Sequence, residues 1–186
     1  MLYIFDMGGV VTNTAEVIKP FCDIIHITEE EFMSYCGDLL SQYSDGVITT
    51  SRFWELFSQR SGKIVKTDWW HCLFHPARNE KTYEIIRQLK KAGNRVVCGT
   101  NTIESHYRNH CERGDYAVFD QTYASCFMGV SKPKLDFWKI ILVAEKTEAK
   151  ETVFIDDREE NWKAAASLGM RAIHFLTAEK LAEDLK

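Results

Sequence analysis

The chain opens on an apolar run, Leu2-Tyr3-Ile4-Phe5, which stops on the carboxylate of Asp6 and turns through Gly8-Gly9. A short unbroken apolar run ended by turn residues reads as a strand buried on both faces. The pattern recurs at Arg95-Val96-Val97-Cys98-Gly99, at Thr152-Val153-Phe154-Ile155 and at Arg171–Phe175, with a shorter strand around 121–125. Helical spacing fills the gaps. Asn79 is placed to cap a helix that carries Tyr83, Ile86 and Leu89 on one face and closes at Gly93. Further helices are expected near Ile103–Cys111, over Leu135–Ala144, over Arg158–Leu168 with Gly169 as its stop, and after Thr177. Alternating strands and helices predict an α/β fold with a parallel sheet covered on both faces.

The alternation breaks between the first strand and residue 76. Thr28-Glu29-Glu30-Glu31 is a capping box, and Phe32, Tyr35, Leu39 and Leu40 follow at helical spacing. Asp45-Gly46 reads as a turn, Phe53, Trp54, Leu56 and Phe57 as an amphipathic helix, and Trp69, Trp70, Leu73 and Phe74 as an aromatic cluster before Pro76. Strand signals are scarce here, so this block is expected to be a small helical insertion.

Length agrees with that division: 186 residues suit one core plus an insertion. The formal charge of −4 gives no electrostatic reason to expect nucleic acid or an anionic membrane as partner. No stretch approaches the roughly 20 apolar residues of a membrane helix. Six cysteines without Cys-x-x-Cys spacing, behind an apolar start that Asp6 interrupts, read as reduced thiols of a cytoplasmic protein. The histidines lack the spacing of a zinc site.

The candidate chemistry lies where apolar strands end in polar residues: Asp6, Thr100-Asn101-Thr102 and Asp156-Asp157, with Ser131-Lys132-Pro133 opening the helix at Leu135. Alone, each has an ordinary explanation as a cap, a turn residue or a solvated lysine. In a parallel sheet all strand C-termini share one side, so Asp6, Thr100, Asp156 and Asp157 are expected to converge there. Crowded carboxylates repel unless a cation sits among them. Oxygen ligands without Cys or His suit Mg²⁺, and Mg²⁺ favours phosphate oxygens. Thr100 and Lys132 then become donors to a phosphoryl group, Gly8 and Gly9 permit close backbone approach, and Asp6 is the candidate nucleophile.

With these motifs in order, the chain resembles the haloacid dehalogenase-like hydrolase superfamily. Phe5-Asp6-Met7-Gly8-Gly9-Val10 matches its first motif, Thr100-Asn101 its second, Lys132-Pro133 its third and Phe154-Ile155-Asp156-Asp157 its fourth. Gly129-Val130-Ser131-Lys132-Pro133 and the run from Asp156 to Asn161 are similar to the branch with a small helical cap. The resemblance implies a Rossmann-like core over 1–12 and 76–186 and a cap over 13–75. It also implies Mg²⁺ held by Asp6, the Gly8 carbonyl, Asp156 and Asp157, and phosphate bound by Gly8, Gly9, Thr100, Asn101 and Lys132. Tyr43, Ser44 and Asp45, near a cap turn, are expected to reach the substrate. Trp69, Trp70 and Phe74 are read as hinge packing, and His106, His110 and His174 as structural or exposed.

One position departs from the pattern: Gly8 stands where phosphatases of the superfamily carry a second Asp, the acid and base of the reaction. Losing a positioned acid–base typically costs about 10²–10⁴-fold in rate. A similar glycine occurs in a subgroup that includes sugar-1-phosphate phosphatases, whose anomeric leaving oxygen depends less on an acid. The expected protein is therefore a Mg²⁺-dependent phosphatase of a small phosphorylated metabolite, a monomer or weak dimer. The alternatives are a non-catalytic phosphometabolite-binding module and a metal-free dehalogenase, which the Asp156-Asp157 pair argues against.

Overall fold

The computed structural model describes residues 1–186. Five parallel strands, β1 (Leu2–Phe5), β2 (Arg95–Thr100), β3 (Gln121–Ala124), β4 (Thr152–Asp156) and β5 (Arg171–His174), form one sheet in the order β3-β2-β1-β4-β5. β1 is central, with Phe5 opposite Cys98 on one side and Ile155 on the other. The strand order reverses about β1, which opens a crevice at its C-terminal end, the place where such sheets bind ligands.

Side-chain alternation divides the core. Tyr3 and Phe5 face a cluster with Tyr83, Ile86, Val96, Cys98, Val153 and Ile155, closed by α6 (Glu80–Lys91) and the C-terminal helix α11 (Ala178–Asp184). Leu2 and Ile4 face the other side, where Phe137, Trp138 and Ile141 of α9 (Asp136–Glu145) and Ala165 of α10 (Glu159–Ser167) cover Val97 and Phe154. The buried, unalternating strand composition is thus the direct consequence of two apolar helical layers. Gly99 has its own reason: a Cβ there would stand 2.8 Å from Ile4 Cγ2.

Residues 18–72 carry five helices: α1 (Ile18–Ile25), α2 (Glu29–Cys36), α3 (Leu39–Ser44), α4 (Thr50–Ser61) and α5 (Trp69–Cys72). They enclose a third cluster, in which Phe21, Phe32, Phe53, Phe57, Trp54 and Trp70 pack ring to ring. The capping box forms as read, Thr28 Oγ1 accepting from the Glu31 N–H and Glu31 accepting from the Thr28 N–H. The helical spacing from Phe32 to Leu40 is not one helix, however. Gly37, with φ 50°, ends α2, and α3 starts afresh at Leu39. The apolar period survives a tight break of this kind, so periodicity alone bridges it.

Two short helices complete the core, α7 (Glu104–Glu112) after β2 and α8 (Ser125–Met128) after β3. All six cysteines are free, and no helix is long and apolar enough to cross a membrane.

Candidate active site

Four segments reach the C-terminal end of the sheet. Asp6 leaves β1, Thr100 ends β2, Asp156 ends β4, and Lys132 arrives in the loop before α9. The ammonium of Lys132 is sealed from solvent and bridges two carboxylates, 2.8 Å from Asp6 Oδ1 and 2.7 Å from Asp156 Oδ2, while also donating to the Gly99 carbonyl at 2.9 Å. Asn101 fixes the lysine in place: its amide donates to the Lys132 carbonyl and its oxygen accepts from the Lys132 N–H, both at 2.8 Å. The Asn101 side chain therefore positions Lys132. Both its polar atoms are committed to the backbone of the lysine.

The two adjacent aspartates differ sharply. Asp156 is fully buried, with Oδ1 accepting from the Arg158 N–H and Asn161 Nδ2, and Oδ2 from Lys132 and Asn161. Asp157 Oδ1 is buried and has no partner at all. Together Asp6, Asp156 and Asp157 offer oxygens that lie within 4.8 Å of one another. Three carboxylates and one ammonium leave a formal −2 in this pocket, and an orphaned buried oxygen is costly unless something binds it. Oxygen donors and a matching charge fit a hard divalent cation, Mg²⁺ in particular. Asp6 and Asp157 are the side chains with oxygen left to offer, whereas Asp156 is spent on holding Lys132 and the start of α10. The position of Gly9 follows from this. It has φ 80°, and a Cβ there would lie 2.3 Å from Asp157 Oδ2. Its N–H donates to the Thr12 carbonyl at 2.7 Å, so the role of Gly9 is room for Asp157 rather than the expected phosphate contact.

Electrostatics agree with a site suited to a cation. Burial pushes the Asp6 carboxyl up to about 6, against the pull of Lys132 and with the repulsion of Asp156. Burial and then the Asp156 charge also raise Asp157. Burial works to neutralise Lys132, but Asp6 and Asp156 more than offset it and hold the ammonium charged above its ordinary range. Asp6 Oδ1 accepts from the Met7 N–H at 2.8 Å as well as from Lys132. That leaves its other oxygen for an external partner. The Thr100 hydroxyl is buried and makes only a 3.4 Å contact with the Asn101 carbonyl, so it remains available as a donor.

Beside this centre lies a cavity of about 210 Å³, whose walls include Gly8, Thr12, Asn13, Phe74, Thr100 and His106. A Cβ built on Gly8 would meet nothing within 4 Å, so the position of the absent second Asp opens onto free space. Tyr43 does not reach this space. It is fully buried, with its hydroxyl 2.6 Å from Thr50 Oγ1 and 2.7 Å from Ser105 Oγ. Asp45 is likewise engaged, accepting from the Ser131 hydroxyl and, at 2.8 Å, from Lys134, and Ser44 accepts from Ser125 through its carbonyl. These three join the helical insertion to the core instead of facing a substrate, which corrects the sequence expectation. Of the aromatic residues, Trp70 packs inside the insertion as expected, while Phe74 also stacks on His106 at 3.8 Å. His110 is structural, bonded at 2.8 Å to buried Asp115. His106, set aside by sequence reasoning, lines the cavity. Its only signal was its place in the first turn after the Thr100-Asn101 strand end.

Known proteins resemble this chain in sequence and fold. The family model of the haloacid dehalogenase-like hydrolases matches residues 1–169. A sesquiterpene phosphatase, astK of Aspergillus oryzae, is 29% identical over 194 residues, covering 92% of this chain and 87% of that one. The enzyme bt-2542 of Bacteroides thetaiotaomicron superposes with a TM-score of 0.84 at 25% identity, over 99% of this chain and 97% of that one. A crystal of the same enzyme holding magnesium and inorganic phosphate gives 0.83 at 25% identity, over 100% and 98%. With the motifs, the parallel sheet and the acidic triad in place, the chain belongs to the haloacid dehalogenase-like hydrolase family.

Proposed function

We propose that this protein hydrolyses the monoester of a small phosphorylated metabolite, a sugar phosphate being the favoured case, through an aspartyl-phosphate at Asp6. The carrying observation is the Asp6–Lys132–Asp156 cluster beside the orphaned Asp157 oxygen, next to a cavity walled in part by Gly8 and Thr100. Asp6, the Gly8 carbonyl and Asp157 would hold Mg²⁺, which when bound shields the approach of a carboxylate to an anionic ester. Asp156 acts on Lys132 and α10 and thereby on the site's geometry. Residues 13–75 would act as the cap over the crevice.

The free oxygen of Asp6 attacks phosphorus, and the bond from phosphorus to the leaving oxygen breaks with its electron pair. Lys132 and the Thr100 hydroxyl donate to the phosphoryl oxygens as charge shifts onto them. The departing oxygen takes a proton from water, since Gly8 supplies none. A second water then attacks phosphorus, the Asp6–phosphorus bond breaks, and inorganic phosphate leaves. Without a positioned acid, good leaving groups are favoured, which points to anomeric phosphates over simple alkyl esters.

The test is phosphate release from p-nitrophenyl phosphate and from glucose 1-phosphate with and without Mg²⁺. Turnover that needs Mg²⁺ and disappears in Asp6→Asn is expected. Undiminished turnover by Asp6→Asn would remove Asp6 from the chemistry. Silence toward a broad set of phosphate esters, together with measurable ligand binding, would favour the binding-module alternative that Gly8 invites.

A further inference from the structure

The two aspartates at the end of β4 are held very differently. Asp156 accepts from Lys132, from Asn161 and from the Arg158 N–H, so its carboxylate is fixed directly. Asp157 Oδ1 is buried and has no partner. Burial and then the Asp156 charge work against an ionised Asp157. A carboxylate in that situation keeps its place only if its backbone is held. Groups standing behind a metal ligand set where that ligand points.

That hold comes from β5. The two strands pair as far as Asp156 opposite His174, and the Phe175 N–H donates to the Asp156 carbonyl at 2.9 Å. The next carbonyl outward, that of Asp157, is met by a side chain: His174 Nε2 lies 3.1 Å from it. A carbonyl oxygen only accepts, so Nε2 carries the hydrogen. The imidazole is supported in turn by Trp162 of α10, with ring centroids 5.7 Å apart and planes 26° from parallel. His174 thus extends the strand pairing by one rung, onto the residue whose carboxylate lies against Gly9.

We propose that His174 is a positioning residue for the metal: by donating to the Asp157 carbonyl it holds the turn between β4 and α10, and so keeps the Asp157 carboxylate beside Asp6. The inference rests on the Mg²⁺ reading of the acidic triad. It gives a role to a histidine expected to be only structural or exposed, on a strand that supplies no ligand of its own. His174 acts through Asp157, so its effect is read in metal affinity.

The measurement is the Kd for Mg²⁺ alone, by calorimetry on the full chain without substrate. His174→Phe keeps a ring against Trp162 and removes the donor, whereas His174→Gln returns an N–H at similar reach. The side chain is exposed, so neither substitution opens a cavity. His174→Phe is expected to weaken Mg²⁺ binding about tenfold, the low end of what lost support behind a ligand costs, and His174→Gln to return within about twofold of wild type. Unchanged affinity in His174→Phe would overturn the inference. Equal weakening in both variants would do so too, because the ring and not its N–H would then matter. Asp157→Asn separates this inference from the reading beneath it, which requires that variant to lose Mg²⁺. Wild-type affinity in Asp157→Asn, or no Mg²⁺ binding by the wild type, overturns the metal reading and the role of His174 with it. A null result in His174→Phe alone removes only His174 and leaves the triad standing.

Discussion

Two glycines one bond apart do opposite work at the end of β1. Gly9 is compelled, since φ 80° and the Asp157 carboxylate leave no place for a Cβ. Gly8 is under no such constraint, as the space beyond its Cα is open and its backbone is not left-handed. Gly8→Asp should therefore be accommodated and should supply the proton that the departing oxygen otherwise draws from water. A gain of about 10²-fold in kcat on an alkyl phosphate is expected, with little change on p-nitrophenyl phosphate, whose leaving group needs no acid. Steady-state kinetics on the two esters check this, and an equal change on both would show that the aspartate acts by some other route. Asp6 gives a second residue-scale expectation. Its carboxyl titrates near 6 in the metal-free protein, and Mg²⁺ binds the ionised form. Below pH 6 the ion must displace a proton, so the apparent Kd rises about tenfold per pH unit, and above pH 6 it levels off. Calorimetric titrations at pH 5 and pH 7.5 should differ by roughly tenfold, and equal affinities would mean that Asp6 is not a ligand. For folding of the metal-free chain the sign reverses: the folded state holds this proton more tightly, so the contribution falls as pH rises from about 4 to 6.

At the scale of elements, the sheet and its site were largely legible, because buried parallel strands advertise themselves as apolar runs and their polar stops must share one side. Asp6, Thr100 and Asp156 converge for that reason, and Lys132 joins the two aspartates across 2.7–2.8 Å. What each residue does once there was less legible. Asn101 and Asp156 are spent on Lys132 and α10, and nothing in their spacing distinguishes a group that touches a ligand from one that holds its neighbour. Sequence carries identity and order, whereas partner assignment depends on which donors approach within about 3 Å. The same limit explains Tyr43. A turn-adjacent tyrosine looked like a ligand contact, but Ser105, 62 residues away in the chain, claims its hydroxyl. His106 was overlooked for the converse reason: a wall residue is defined by empty space, and empty space has no sequence pattern.

For the whole molecule, the helical insertion is fastened to the core in two places of different strength. Along α7 the bonds are shielded. Glu104 accepts from the Thr50 N–H at 2.9 Å and hydroxyl at 2.7 Å, and Ser105 lies between Tyr43 and Asp68. Beside Lys132 the second fastening is lighter. Asp45 accepts from Ser131 and from Lys134, whose side chain is 62% exposed, and Gly46 lies so near the Cys126 carbonyl that it has no room for a Cβ. An exposed ion pair contributes no more than about 1 kcal/mol, so this edge should open before the α7 seam does. Asp45→Ala removes both of its contacts while leaving Asp6, Lys132 and the acidic triad untouched. It should raise hydrogen exchange across residues 39–49 by up to about fivefold, the equivalent of that 1 kcal/mol, with α7 and the sheet strands unchanged. If opening of this edge admits substrate, KM on p-nitrophenyl phosphate shifts with the exchange rate and Mg²⁺ affinity stays constant. Exchange that accelerates along α7 as strongly as in 39–49 would mean that the insertion moves as one rigid piece and that Asp45 is no separate latch.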